Sequence, residues 1–228
     1  MADCAEAIRA MRARIAAAER RFHRPAGSVS LLAVTKQRSI DDMRAALAAG
    51  QRCFGESYLQ EALPKIAALS AETVEWHFIG PIQSNKTRGI AEHFSWVHSV
   101  DRLKIAQRLD AQRPEHAPPL NICLEVNISG EASKSGATPA ELAALAREVL
   151  RLPRLRLRGL MTVPPHGHDF EDQRGYFRQL RELRDALAAD IPALDTLSMG
   201  MTGDLDAAVA EGATIVRIGS GIFGGRHA

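Results

Sequence analysis

Cysteine is scarce in this chain: three among 228 residues, at positions 4, 53 and 123. An odd number without metal-type spacing argues against a disulfide framework and fits free thiols in a reducing compartment. Cys53 and Cys123 fall in strand-like apolar runs and read as buried packing residues. Net charge is also small, formally +2, with Lys and Arg spread along the chain. That distribution leaves no basic footprint for nucleic acid. No apolar segment is long enough for a membrane span, and residues 2–22 carry Asp3, Glu6 and Glu19 among several arginines, unlike a signal peptide. The expectation is a cytoplasmic protein with neither a nucleic-acid nor a membrane partner. Tyrosine occurs only at Tyr58 and Tyr176, so phenolic acid–base groups are few.

What the chain does contain is a regular alternation. Ile8, Met11, Ile15 and Phe22 recur at helical spacing and predict an opening amphipathic helix. After the Pro25-Ala26-Gly27 turn, short apolar runs alternate with longer helical stretches. The runs are Ser30–Thr35, Arg52–Phe54, Trp76–Ile79, Trp96–His98, Leu120–Asn127, Leu157–Met161, Thr196–Leu197 and Ile215–Arg217. Helices are expected between them, near Ile40–Ala49, Tyr58–Leu69, Lys86–Ala91, Leu103–Ala111, Pro139–Leu150, Phe170–Ala188 and Asp204–Ala210. Eight strands with a helix in every gap predict an α/β fold, a single (β/α)8 TIM barrel with an additional N-terminal helix. One domain would span residues 1–228. A doubly wound open sheet is the competing arrangement, because the second, fourth and seventh strands are short.

Barrel geometry converts these positions into a site. Loops after the strands gather at one rim, and phosphate commonly sits between the loops after strands seven and eight. Here those loops are Ser198–Gly203 and Gly219–Gly224, rich in glycine and hydroxyls. Glycine lets backbone amides approach an anion, and each helix N-terminus adds about 0.3–1 kcal/mol of attraction. Ser198, Thr202 and Ser220 can add hydroxyl hydrogen bonds. Lys36 ends the first strand, which neighbours the eighth in a closed barrel, so an amine lies one strand from the phosphate loops. Its stem leaves the apolar run Leu31-Leu32-Ala33-Val34, and desolvation there would make it a nucleophilic amine. A phosphate cup facing a strand-end lysine points to pyridoxal phosphate held as a Schiff base.

Other rim residues admit plainer readings. Ser57 and Ser84 are expected to cap helices, and Tyr58 to pack a helix start. His77 and His98 read as satisfied core histidines. His166 and His168 lie in a Pro-rich loop without a supporting ligand pattern, so no metal is assigned. Met161 sits at a strand end, where either core packing or contact with a ring is open to it.

The motifs, taken in order, resemble a known family. Ala33-Val34-Thr35-Lys36, Phe54-Gly55-Glu56, His77-Phe78-Ile79-Gly80 with Gln83-Ser84-Asn85-Lys86, and Val126-Asn127-Ile128-Ser129-Gly130-Glu131 with Lys134-Ser135-Gly136 are four of them. Gly159-Leu160-Met161, Ser198-Met199-Gly200-Met201 and Arg217-Ile218-Gly219 complete the set. Together they resemble the pyridoxal phosphate homeostasis proteins, which share the alanine racemase N-terminal barrel. The resemblance implies pyridoxal 5'-phosphate as cofactor, with Lys36 as its covalent anchor. It also implies phosphate contacts from Ser198, Gly200, Gly219 and Ser220, with Met161 near the ring and Arg217 facing the pyridine nitrogen. Ser57 stands where the family usually has asparagine, Thr202 where it has serine, and Gly221 where it often has alanine. Thr202 keeps a hydroxyl beside the phosphate, whereas Ser57 shortens a polar group and leaves any contact there in question.

Arg217 carries a consequence of its own. A guanidinium only donates, so a pyridine nitrogen facing it must accept and stay unprotonated. The ring is then a weak electron sink, which favours holding the cofactor over catalysis, and no catalytic residue is assigned. The expected role is intracellular buffering or delivery of the cofactor by a monomer, with cofactor-dependent apoenzymes as recipients. A racemase-like enzyme using Lys36 as base is the alternative.

Overall fold

The computed structural model describes residues 4–131, 134–165, 169–191 and 193–225. Helix α1 (Cys4–Arg21) is followed by β1 (Ser30–Val34), α2 (Ile40–Ala48), β2 (Cys53–Glu56), α3 (Leu59–Ala68) and β3 (Glu75–Phe78). The alternation continues through α4 (Thr87–His93), β4 (Trp96–Val100), α5 (Leu103–Gln112), β5 (Leu120–Glu125), α6 (Pro139–Val149) and β6 (Leu155–Met161). It ends with α7 (Phe170–Ala188), β7 (Thr196–Ser198), α8 (Leu205–Ala210), β8 (Ile215–Ile218) and α9 (Ser220–Phe223). The strands close in sequence order, every neighbouring pair parallel, with β1 pairing β8. The open-sheet alternative is thereby set aside.

Each strand is buried on both faces, as a parallel barrel under a helical jacket requires. Alternate residues such as Leu31, Ala33, Phe54, Phe78 and Val97 pack outward into one large core with the helices. Their neighbours point inward, where Trp96, Cys123 and Met161 form a separate buried cluster. Cys123 is buried as expected; Cys53, at the start of β2, is only half-buried. Full capping boxes start α2 (Ser39 with Asp42) and α6 (Thr138 with Glu141), each engaging two backbone donors of the first turn.

Two expected caps are absent. Tyr58 occupies the N-cap of α3 and Lys86 that of α4, neither with a side-chain cap bond, so Ser57 and Ser84 do not cap. Ser57 is instead buried against Gly80, where any Cβ would collide with the Ser57 carbonyl. Tyr58 is 53% exposed rather than packed.

Helix α1 supports the rim. Ile8 and Ile15 bury its apolar stripe, while Arg14 pairs with Asp206 at 2.5 Å and donates to the Thr202 carbonyl at 2.7 Å. The extra helix thus holds the loop between β7 and α8.

Candidate functional site

Lys36 lies two residues beyond β1, in a segment fastened from behind. The Lys65 ammonium, from α3, donates to the Thr35 carbonyl at 2.7 Å, to Glu56 at 2.9 Å and to Glu61 at 2.6 Å. The Thr35 hydroxyl donates to Glu56 at 2.6 Å, and the Gln37 amide donates to Glu61. Lys65 and Glu56 are almost fully buried, at 6% and 0% side-chain exposure. The residues on either side of Lys36 are therefore held by charge-assisted bonds on the outer side of the barrel wall. Glu56, one of the residues of the Phe54-Gly55-Glu56 motif, belongs to this clamp. Burial pushes its carboxyl upward against the opposing hydrogen bonds of Lys65 and Thr35.

The Lys36 side chain is exposed, not desolvated as its apolar strand led us to expect. Strand alternation aims it to the inner side, after Leu32 and Val34. Among the described residues its amine has no hydrogen-bond or ion-pair partner. Gly219 packs against Val34, so the end of β8 lies beside the end of β1 and brings Lys36 next to the glycine-rich loops.

Those loops form a small-residue cup. Gly200 has φ +95°, and a Cβ there would lie 2.5 Å from that of Ala208, so only glycine fits. Thr202 Oγ1 accepts from the Gly221 amide at 3.2 Å and from the Ser220 hydroxyl at 3.3 Å. Thr202, Ser220 and the start of α9 thus converge, as the sequence suggested. Ser198 differs: its hydroxyl turns below the cup to Arg217 and His98, fully buried.

Arg217 lies in β8 with 5% exposure and points into the barrel. Its Nη1 donates to the Ser198 carbonyl at 2.6 Å and hydroxyl at 2.8 Å, and its Nη2 to the Thr162 carbonyl at 2.8 Å. Among the described residues no carboxylate forms an ion pair with it. Burial pulls its pKa down, while Asp204 and Glu125 oppose that. Met161, 1% exposed, sits between Glu125 and Ser198 in register and packs on the Trp96–Cys123 cluster. The inner face therefore sets a buried apolar cluster beside a fixed donor.

Three participants escaped the sequence reading as site residues. Burial, with the Asp101 charge adding to it and Arg217 opposing, raises the Glu125 carboxyl to about 7, close to the mouth. His77 and His98 are buried and satisfied as expected, but by one another. His77 Nδ1 lies 2.9 Å from His98 Nε2, and His98 Nδ1 lies 2.7 Å from Ser198 Oγ. Strand alternation could have revealed Glu125, two residues beyond inward-facing Cys123. No sequence signal places His98 against Ser198, 100 residues away on the opposite wall.

At the far end of the barrel Cys53, Glu75 and His77 bring three ligand-type atoms within 4.8 Å, a grouping that spacing along the chain did not disclose. There Glu75 and His77 are bonded to each other at 2.8 Å, and burial, then the Glu75 charge, pushes the Cys53 thiol up to about 11. His166 and His168 lie outside the described residues.

Comparison with known proteins agrees with this geometry. Residues 7–227 match the family described as alanine racemase, N-terminal domain. The pyridoxal phosphate homeostasis protein of Pseudomonas aeruginosa is 58% identical over 226 residues, covering 99% of this chain and 97% of that one. The structure of PipY from Synechococcus elongatus with pyridoxal phosphate bound superposes with a TM-score of 0.85 at 37% identity, covering 97% of this chain and all of that one. An alanine racemase from Corynebacterium glutamicum shares the fold alone, with a TM-score of 0.66 at 15% identity, over 96% of this chain and 62% of that one. With a family match over nearly its whole length and this identity to a curated relative, the chain belongs to the pyridoxal phosphate homeostasis protein family, built on the alanine racemase N-terminal barrel.

Proposed function

We propose that this protein binds pyridoxal 5'-phosphate through Lys36 and serves its homeostasis, storing the cofactor and releasing it to apoenzymes. The observation that carries the reading is the Lys36 amine, without a partner among the described residues, on a segment held by its neighbours beside a glycine cup and a buried arginine. The bound cofactor supplies an aldehyde that condenses with a primary amine and a ring that can withdraw electrons. Lys36 provides the amine. Gly200, Thr202, Gly219 and Ser220 would hold the phosphate through backbone amides and hydroxyls. Met161 gives the ring an apolar contact. Ser198 acts from beneath by orienting Arg217, whose guanidinium would be the donor offered to the ring nitrogen.

A buried guanidinium that only donates would leave that nitrogen an acceptor and make the ring a weak electron sink. Holding rather than turnover follows. The names of relatives and the cofactor in the PipY structure support the same reading. No helix among the described residues is long and apolar enough to cross a membrane. We place the protein in the cytoplasm as a monomer, in keeping with its small and odd number of cysteines.

Borohydride reduction of the loaded protein, followed by peptide mapping, should tag Lys36, and Lys36→Ala should lose the visible absorption of the loaded wild type. A tag on another lysine, or an unchanged spectrum in Lys36→Ala, would overturn the assignment.

A further inference from the structure

An unbroken line of hydrogen bonds runs through the barrel from one rim toward the other. Glu75 at the start of β3 is 2.8 Å from His77 Nε2, and His77 Nδ1 is 2.9 Å from His98 Nε2. His98 Nδ1 is 2.7 Å from Ser198 Oγ, which accepts from Arg217 Nη1 at 2.8 Å. His77, His98, Ser198 and Arg217 are all buried; Glu75 alone reaches solvent, with its side chain 46% exposed. His77 stacks on Trp96 at 5.5 Å and 6°, and Arg158 covers the Trp96 ring at 4.9 Å, so the first histidine cannot swing away.

The two ends fix the direction of every bond between them. Arginine can only donate and an ionised carboxylate can only accept. With both imidazoles neutral, the carboxylate end sets each step: His77 donates from Nε2 to Glu75, His98 donates from Nε2 to His77 Nδ1, and Ser198 donates its proton to His98 Nδ1 while accepting from Arg217. Each of the four contacts receives one proton with both imidazoles neutral. The reverse direction would set the His77 Nε2 lone pair against a carboxylate oxygen at 2.8 Å. Burial agrees, since it disfavours the charged form of both rings. The charged or titratable groups around the line are Cys53 beside Glu75, Arg158 over Trp96, and Glu125, Cys123 and Asp204 around Arg217.

We propose that Glu75, His77, His98 and Ser198 form a positioning relay that locks the Arg217 guanidinium and carries the charge at the barrel floor to the cofactor's ring nitrogen. Only the last step rests on the proposed function; the relay itself belongs to the protein without ligand. Because each bond polarises the next, a change at Glu75 reaches Arg217 without movement of heavy atoms. The line would thus make the ring's electronic state depend on a residue at the opposite end of the barrel.

Nitrogen-15 NMR of the ligand-free wild type should show both rings neutral with the proton on Nε2. An Nδ1-protonated or doubly protonated ring at either position would overturn the relay. In Glu75→Gln the Nε2–H proton of His98, which does not touch residue 75, should move upfield along with that of His77, by a smaller amount. A His98 signal that stays in place would reduce Glu75 to a local partner of His77 and overturn transmission. In the loaded protein Glu75→Gln should shift the visible absorption maximum, and an unmoved band would overturn coupling to the ring. Absence of a borohydride tag at Lys36 in the wild type would instead sink the proposed function, with the NMR results still deciding the relay.

Discussion

Replacing Lys65 by Met tests whether the clamp behind Lys36 is held as described. The substitution keeps the length of an unbranched side chain but removes the ammonium that joins the Thr35 carbonyl, Glu56 and Glu61. Glu56 is fully buried, and its Oε2 already has no partner, so the carboxylate would lose its compensating cation in a dry site. Removing one member of a buried pair costs about 3–5 kcal/mol, whereas the Thr35 carbonyl keeps the Arg38 amide as a donor at 3.0 Å. Protonation of Glu56 offers an escape. Its carboxyl already lies above the ordinary range through burial, and without Lys65 it rises further. A carboxyl whose folded pKa exceeds its unfolded one contributes stability at low pH that is lost as pH rises. Urea unfolding should therefore show Lys65→Met destabilised by about 3–5 kcal/mol near pH 8 and distinctly less near pH 5.5. Adding Glu56→Gln should restore much of the loss near pH 8, because no buried charge is then left alone. A loss of about 1 kcal/mol or less, or a double variant no better than the single one, would mean that water enters the clamp and the pair acts like a surface bridge. Loosening of Thr35 and Gln37 should also slow attachment of the cofactor at Lys36, measured by the growth of visible absorption.

The strand and helix order of this fold was legible because burial on both strand faces leaves short apolar runs between amphipathic segments. Strand ends were less so. Glu56 extends β2 beyond the apolar run because its carboxylate has a buried lysine to meet, and a pattern of hydrophobic residues does not register a charge that is satisfied from another helix. The cup and Lys36 could be read from chain position alone, since the order of strands in a closed barrel fixes which loops are neighbours. What lines the inside of the barrel could not. Ser198 looked like one more hydroxyl of a glycine turn, yet β7 is so short that its last residue still faces inward, where it meets Arg217 and His98. The clamp and the relay both join residues from different elements through side chains. Their existence depends on which face each residue takes, and a one-residue slip in a short strand reverses that face.

The remaining predictions concern the cup and the mouth. Gly200→Ala places a Cβ 2.5 Å from Ala208 at φ +95°, a strain of roughly 1–3 kcal/mol with overpacking in addition, and it should weaken cofactor binding in a fluorescence titration. Ala208→Gly added to it should recover the part due to collision and not the part due to backbone strain. Glu125 gives the wild type a pH dependence of its own. Its folded pKa near 7 stands above the usual carboxylate value of 4.5, so the unfolded state ionises first. Stability should decline as pH rises from the ordinary carboxylate range to about 7 and then level off, by no more than about 3 kcal/mol from this group. Glu125→Gln cannot ionise and should flatten the decline in urea unfolding across that window. If the two proteins keep parallel pH profiles, the Glu125 carboxylate is hydrated at the mouth, and the apolar floor built by Met161, Trp96 and Cys123 does not extend as far as the end of β5.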